Sequence, residues 1–409
     1  MTLKKNVPAD QLASRLTKLR ELCTQAAPDW EAALVTRKAN TYYLTGTLAG
    51  GALWLPREGD AIFFVREGLG RTLHESNFPR IEPMRSYRDI RENVPASFFQ
   101  PTSGTFLVEK DNLPVSLYES LDKHLTLSLS FGSVGSLSPI LHTARSVKSA
   151  YEIELLEQAG RIHREVLIQA APSLLVEGIS EAELATELYA KTLSLGSDGA
   201  FRTNLTDQYA IFGYVNFGES SLVPTNFPTP DGTVGISPAN LFFGSRERKL
   251  RKNDVVFLDC VCSYQGYLSD KSRVYYFGDD PSYAVASAPA EVATANQICA
   301  DMLERMSQQL RPGVRACDIY NDIYENVVPK LSPKQASHFQ GPPGQLVSFL
   351  GHGTGLCIDE LPTIAARDET VLQENMVIAL EPKMSIPGVG MVGVEETFVV
   401  TEQGGRQIT

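Results

Sequence analysis

Residues 252–278, KNDVVFLDCVCSYQGYLSDKSRVYYFG, decide how this chain folds. An apolar run leads to Asp259, Gln265-Gly266 gives a two-residue turn signal, and the return limb carries Asp270 followed by β-branched and aromatic residues. If Tyr264 pairs with Tyr267 across that turn, Asp259 falls opposite Ser272. Asp270 is then its diagonal neighbour on the same face, about 7–8 Å away. Two carboxylates converging inside a Val-, Phe- and Leu-rich sheet repel one another unless they are protonated or hold a cation.

A second hairpin repeats the pattern. MVIALEPKMSI (376–386) turns through Pro387-Gly388 and returns as MVGVEETFVV (391–400). A turn centred on Gly388 sets Glu381 opposite Glu395, whereas Glu396 faces the other way. Between the hairpins lies GHGTGLCIDELP (351–362). Taken alone, His352 reads as a structural histidine; beside four acids it reads as the nitrogen ligand of a metal centre. Asp259, Asp270, Glu381 and Glu395 carry about four negative charges, which two divalent ions balance while leaving positions open for water and substrate.

Outward from these hairpins, 409 residues suggest two domains, and 43% hydrophobic with 21% charged residues suits a globular enzyme or binding protein. Thirty-seven basic against 48 acidic residues give a net charge of −11, which argues against nucleic acid or an anionic membrane as partner. No run approaches the length of a membrane span, the N-terminal stretch has no apolar signal core, and the six scattered cysteines show no CxxC, so a reduced, cytoplasmic setting is expected. The first part reads as a helix with Leu12, Leu16, Leu19 and Cys23 in period, then strands, including a hairpin turning at Glu58-Gly59. Ser149-Ala-Tyr-Glu152 and Ser180-Glu-Ala-Glu183 have capping-box spacing and open amphipathic helices. The domain boundary is placed within 143–148, giving domains 1–145 and 146–409.

The second domain contains an internal echo. Gly178-Ile-Ser-Glu-Ala-Glu-Leu-Ala-Thr-Glu-Leu-Tyr189 precedes by 135 residues Gly313-Val-Arg-Ala-Cys-Asp-Ile-Tyr-Asn-Asp-Ile-Tyr324, with glycine, acids, aliphatics and tyrosine in register. A period this long suggests two copies of one αβ unit. Gly388-Val-Gly-Met-Val-Gly393 matches GxGxxG formally but precedes a strand, without the βαβ context a dinucleotide site needs.

The order Asp259, Asp270, His352, Glu381, Glu395, with GYLSDKSR, GHGTGL, LEP and EET followed by VVTE, resembles the creatinase/aminopeptidase ("pita-bread") superfamily, which includes prolidase and Xaa-Pro aminopeptidase. ANTYYLTG (39–46) and VKSAYEIELLEQA (147–159) resemble that family's N-terminal domain and linker helix. The resemblance implies an α+β protein: a pita-bread catalytic domain of two pseudo-symmetric αβ units with a curved antiparallel sheet, behind a smaller α/β creatinase-type domain. It implies Asp259 on one metal, Asp270 and Glu395 bridging, and His352 and Glu381 on the other, with Glu381 also a catalytic proton shuttle. The metals would be Mn, Co, Zn or Fe. It implies cleavage of small peptides, with Xaa-Pro substrates as the default, and a homodimer.

The chain departs from the peptidases at four places. Asp359 stands where they carry a histidine, no histidine occurs between His163 and His338, Ser348 and Gly393 replace a frequent histidine and arginine. These changes remove groups that would steady an oxyanion or protonate a leaving amine. Three readings stay open for Asp359: holding a cationic substrate group, acting as a base, or bonding a nearby backbone amide. Two alternatives to a peptidase also stay open: a hydrolase or lyase of a small, amide-bearing or cationic metabolite, and a non-enzymatic binding protein. The Pro- and Gly-rich segment 217–244 is longer than a connection requires and is expected to line the pocket.

Overall fold

The computed structural model describes residues 7–204 and 209–409, and the chain divides into two compact units, Met1–Arg145 and Ser146–Thr409. In the first, the helix Ala9–Ala26 buries Leu12, Leu16, Leu19 and Cys23, the stripe its periodicity marks. It accompanies a six-stranded mixed sheet of β1 (Trp30–Val35), β2 (Gly50–Pro56), β3 (Ile62–Glu67), β4 (Ile81–Pro83), β5 (Thr105–Val108) and β6 (Ser133–Ser136), in the order β4-β3-β2-β1-β5-β6. β2 and β3 form the expected hairpin, with Gly59 at φ +93° in its turn.

The second unit opens with the helix Ala150–His163, whose Ser149 and Glu152 satisfy each other's backbone amides in a capping box; Ser180 and Glu183 do the same for the helix Glu181–Ser194. A short pair, β7 (Phe201–Arg202) and β8 (Tyr209–Ala210), precedes a three-stranded antiparallel sheet of β9 (Gly213–Phe217), β10 (Asp254–Tyr264) and β11 (Tyr267–Phe277). Beyond the helices Ala290–Ser307 and Ala316–Asn326 come β12 (Phe349–Gly353), β13 (Glu360–Ala365), β14 (Val377–Leu380), β15 (Lys383–Ile386), β16 (Gly390–Gly393), β17 (Glu396–Thr401) and β18 (Gly404–Gln407). Five of them form a sheet ordered β13-β12-β14-β17-β18, and a Ser272–Glu395 bridge links β11 to the approach of β17.

The internal echo is structural. Gly178 N donates to Leu250 O (2.9 Å) and Leu250 N to Ile179 O (2.8 Å); Gly313 N donates to Leu372 O (2.9 Å) and Leu372 N to Val314 O (2.8 Å). The same pair of bonds therefore ties each copy's helix entry to an extended segment. There are two cores: Leu184, Leu188, Val215 and Leu258 belong to one, Ile319, Ile323, Leu350 and Ile378 to the other, which also takes in Val255, Phe257 and Val274 of β10 and β11.

Leu188 and Ile323 occupy equivalent positions in the echo and are both fully buried. Leu188→Ala and Ile323→Ala are each expected to cost about 2–5 kcal/mol in urea unfolding. Because the two sites lie in separate cores, the double variant should lose close to the sum, within about 0.5 kcal/mol.

Candidate metal centre

The β10–β11 hairpin has the register its turn dictates. Tyr264 pairs with Tyr267 and Asp259 with Ser272, while Gln265 and Gly266 both take positive φ (49° and 83°), as a two-residue hairpin turn requires. Asp270 pairs with Val261, two residues along from Asp259, so both carboxylates share one face. In the second hairpin Leu380 pairs with Glu396 and Lys383 with Gly393. Glu381 and Glu395 face each other in the gap between these ladders, in the register centred on Gly388. Glu396 points elsewhere, to Lys271 and to the Thr409 hydroxyl, 2.7 Å away.

His352 comes from β12, which runs close beside β14. A Cβ at Gly351 would stand 2.3 Å from Ala379 O, so only glycine permits that approach. The His352 Nδ1–H donates to Gly353 O (3.1 Å), which leaves Nε2 turned to the acids: Glu381 Oε1 at 3.5 Å, Asp270 Oδ2 at 3.7 Å and Asp359 Oδ1 at 3.7 Å. Asp259, Asp270, His352, Asp359, Glu381 and Glu395 thus all line one pocket. Phe227, Pro228, Thr229 and Phe242 line it too, so the segment 217–244 does face the pocket. Tyr214 and Phe242 stack there at 5.5 Å with an 11° interplanar angle.

Crowding leaves an electrostatic mark. Burial first, then Glu395, Asp259 and Glu381, push the Asp270 carboxyl well above the ordinary aspartate range. Burial raises Glu395 as well, and lifts Asp259 to about 6 against the opposing pull of Lys383. For His352, burial favours the neutral ring, but Asp359, Glu381 and Glu395 outweigh it and raise its pKa. Such a cluster is stabilised by a cation. Asp270, His352 and Glu395 fit one: each offers a ligand atom within 4.8 Å of the others, and all are buried. One nitrogen among carboxylate oxygens is a donor set suited to first-row divalent metals.

Comparison with known proteins gives this geometry a family. Residues 154–402 match the sequence profile of Metallopeptidase family M24, and residues 15–147 that of the Creatinase/Prolidase N-terminal domain. The chain belongs to metallopeptidase family M24. Its curated relatives include the Xaa-Pro dipeptidase of Pyrococcus horikoshii, 24% identical over 404 residues and 98% of each chain, and an uncharacterized peptidase of Staphylococcus aureus, 25% identical over 93% of this chain and 94% of the other. Among solved structures, a Bacillus anthracis Xaa-Pro dipeptidase (TM-score 0.75, 21% identity, 97% of each chain) and the Pyrococcus horikoshii prolidase (TM-score 0.73, 23% identity, 97% of this chain and 98% of that one) share the fold. The expected α+β pita-bread architecture with a creatinase-type domain is therefore present. As an M24 protein the chain is a metal-dependent peptidase that uses divalent ions, and neither alternative, the non-peptidase enzyme or the non-enzymatic binding protein, is favoured. No described helix is long and apolar enough to cross a membrane.

Sequence reasoning missed two members of this M24 centre. Lys383 is fully buried and its Nζ reaches Asp259 Oδ2 at 2.7 Å, Glu381 Oε2 at 2.9 Å, Glu395 Oε2 at 3.2 Å and Asp231 Oδ1 at 3.3 Å. Burial opposes its charge, yet those carboxylates together hold its pKa well above the ordinary lysine value. The balance of four acids against two divalent ions left this charge out. A signal was available: residues two apart on a strand share a face, so a lysine two after Glu381 points where Glu381 points. Asp231, raised to about 7 chiefly by burial, lies in the irregular 217–244 segment, where no periodicity announces it. Among the departures, Ser348 is exposed, and Asp359 sits at φ +61°, its carboxylate accepting no hydrogen bond from a backbone amide among the described residues.

His163 packs behind the hairpin, fully buried, with Nδ1 2.9 Å from Ser269 Oγ. Burial above all, then the charge of Lys271, pulls its pKa down to about 3. The unfolded chain takes up that proton near pH 6.5 and the folded chain only near 3, so this contribution is complete above 6.5 and drains away as pH falls. Wild-type stability should lose up to about 1.4 kcal/mol per pH unit from this group between those limits. His163→Gln should show a shallower slope in denaturant titrations from pH 7 to pH 5.

Proposed function

We propose that this protein hydrolyses short peptides at Xaa-Pro bonds, as a dipeptidase or aminopeptidase. The observation that carries the proposal is the donor trio Asp270, His352 and Glu395 opening onto an aromatic-walled pocket. Phe201, Phe227 and Phe242 offer a dry, ring-lined wall suited to a proline side chain, with Phe227 and Phe242 at 5.3 Å and Phe201 and Phe242 at 6.4 Å. The likeness to the Xaa-Pro dipeptidases of Pyrococcus horikoshii and Bacillus anthracis supports the same substrate class.

In this proposal Asp270, His352 and Glu395 hold a divalent ion, Mn, Co, Zn or Fe, which when bound polarises the scissile carbonyl and acidifies water. Glu381 moves protons. One of its oxygens is fixed by the Lys383 ammonium at 2.9 Å, and the other lies beside His352 facing the pocket. Ser272 Oγ donates to Glu395 Oε2 at 2.7 Å and holds that carboxylate in place. Asp359, partly exposed in the pocket, receives the substrate's free ammonium, the group every unblocked dipeptide presents. A homodimer and a cytoplasmic setting belong to the same proposal. The two-domain layout supports the first, and six free, buried cysteines accord with the second.

Protein stripped by a chelator should be inactive and regain turnover of an Xaa-Pro dipeptide when one of the four metals is restored; no turnover with any of them would retire the Xaa-Pro reading. Asp359→Asn should raise KM roughly tenfold, the loss of a charged hydrogen bond, while leaving kcat nearly unchanged. A fall in kcat at constant KM would instead make Asp359 a proton-transfer group.

A further inference from the structure

The Lys383 ammonium is held as a metal would be held. Its three N–H bonds go to Asp259 Oδ2 (2.7 Å), Glu381 Oε2 (2.9 Å) and Asp231 Oδ1 (3.3 Å), which uses its full donor capacity, and Glu395 Oε2 lies at 3.2 Å. The Phe257 ring lies 5.8 Å from Nζ on another side. The chain is also shaped to admit this side chain. Gly393 faces Lys383 across the β15–β16 pair at φ +144°, where a Cβ would stand 2.6 Å from Pro382 O and 3.0 Å from Lys383 Cγ. Any other residue at 393 would press on the lysine stem.

This cage shares only Glu395 with the donor trio Asp270, His352 and Glu395. Asp259, the carboxylate expected to belong to one metal alone, is the ammonium's nearest partner. A divalent ion on Asp259 and Glu395 would have to sit against a buried ammonium in a water-poor pocket, where like charges repel strongly. We propose that Lys383 takes the place of a second metal: the centre holds one divalent ion, on Asp270, His352 and Glu395, and Asp259 serves the lysine instead of a metal. Lys383 is thereby a positioning residue, since it fixes Glu381 and fills the cation position that Glu395 would otherwise share. The inference rests on the metal-dependent reading of the site.

The test is a titration of metal-depleted, full-length protein with Mn²⁺ alone, followed by elemental analysis for stoichiometry and electron paramagnetic resonance for spin coupling. One Mn²⁺ per chain with an uncoupled six-line spectrum is expected. Asp259→Asn should still bind one, and Lys383→Ala should admit a second, coupled ion. Two ions in the wild type, falling to one in Asp259→Asn, would overturn the inference while leaving the metallopeptidase reading intact. No ion bound by the wild type would overturn both. If Lys383→Ala does not fold, the wild type and Asp259→Asn decide the matter without it.

Discussion

Negative charge packed out of reach of water is the constraint around which the catalytic unit is arranged. Asp231, Asp259, Asp270 and Glu395 are all pushed toward protonation, first by burial and then by a neighbouring carboxylate: Asp259 for Asp231, Glu395 for Asp259 and Asp270, and Glu381 for Glu395. A folded chain tolerates such a group by leaving carboxyls protonated or by bringing positive charge to it. The protein does so with a covalently attached cation, Lys383, and with a donor trio built for a dissociable one. The hairpin registers, the glycine at 393 and the bond from Ser272 to Glu395 all serve to hold those charges at fixed separations.

Much of this was legible in the chain itself. The Gln265-Gly266 turn sets the register, and that register puts Asp259 and Asp270 on a common face, where a slip of one residue would part them. The symmetric spacing about Gly388 likewise brings Glu381 and Glu395 together and excludes Glu396. Wherever a tight turn sets the phase, a period of two carries it along the strand. Lys383 obeys the same rule, but a lysine is not among the residue types metals prefer, so a metal-ligand pattern does not single it out. Asp231 is a different case. It reaches the site from an irregular segment whose path depends on tertiary packing, and no local pattern encodes that.

The departures from the peptidase pattern take on a different meaning once Lys383 is placed. Arginine is expected at 393 and glycine is found, but a positive charge stands on the residue facing it. That charge, on Lys383, is buried among Asp231, Asp259, Glu381 and Glu395. Histidine is expected at 359 and aspartate is found, 3.7 Å from the His352 ring. The pocket thus carries a carboxylate at this position, beside a wall formed by Phe201, Phe227 and Phe242.

The doubled architecture has a further consequence. Asp270 comes from the first copy's hairpin, and His352 and Glu395 come from the second copy, whose hydrophobic core also takes in Val255, Phe257 and Val274 of that hairpin. Neither half owns a complete ligand set. An ion bound there would add its binding free energy to contacts that already cross the seam: Ser272 Oγ donates to Glu395 Oε2, Asp270 N to Thr397 Oγ1 and Lys383 Nζ to Asp259 Oδ2. Metal supply would then bear on how firmly the halves stay joined as well as on whether the chemistry runs.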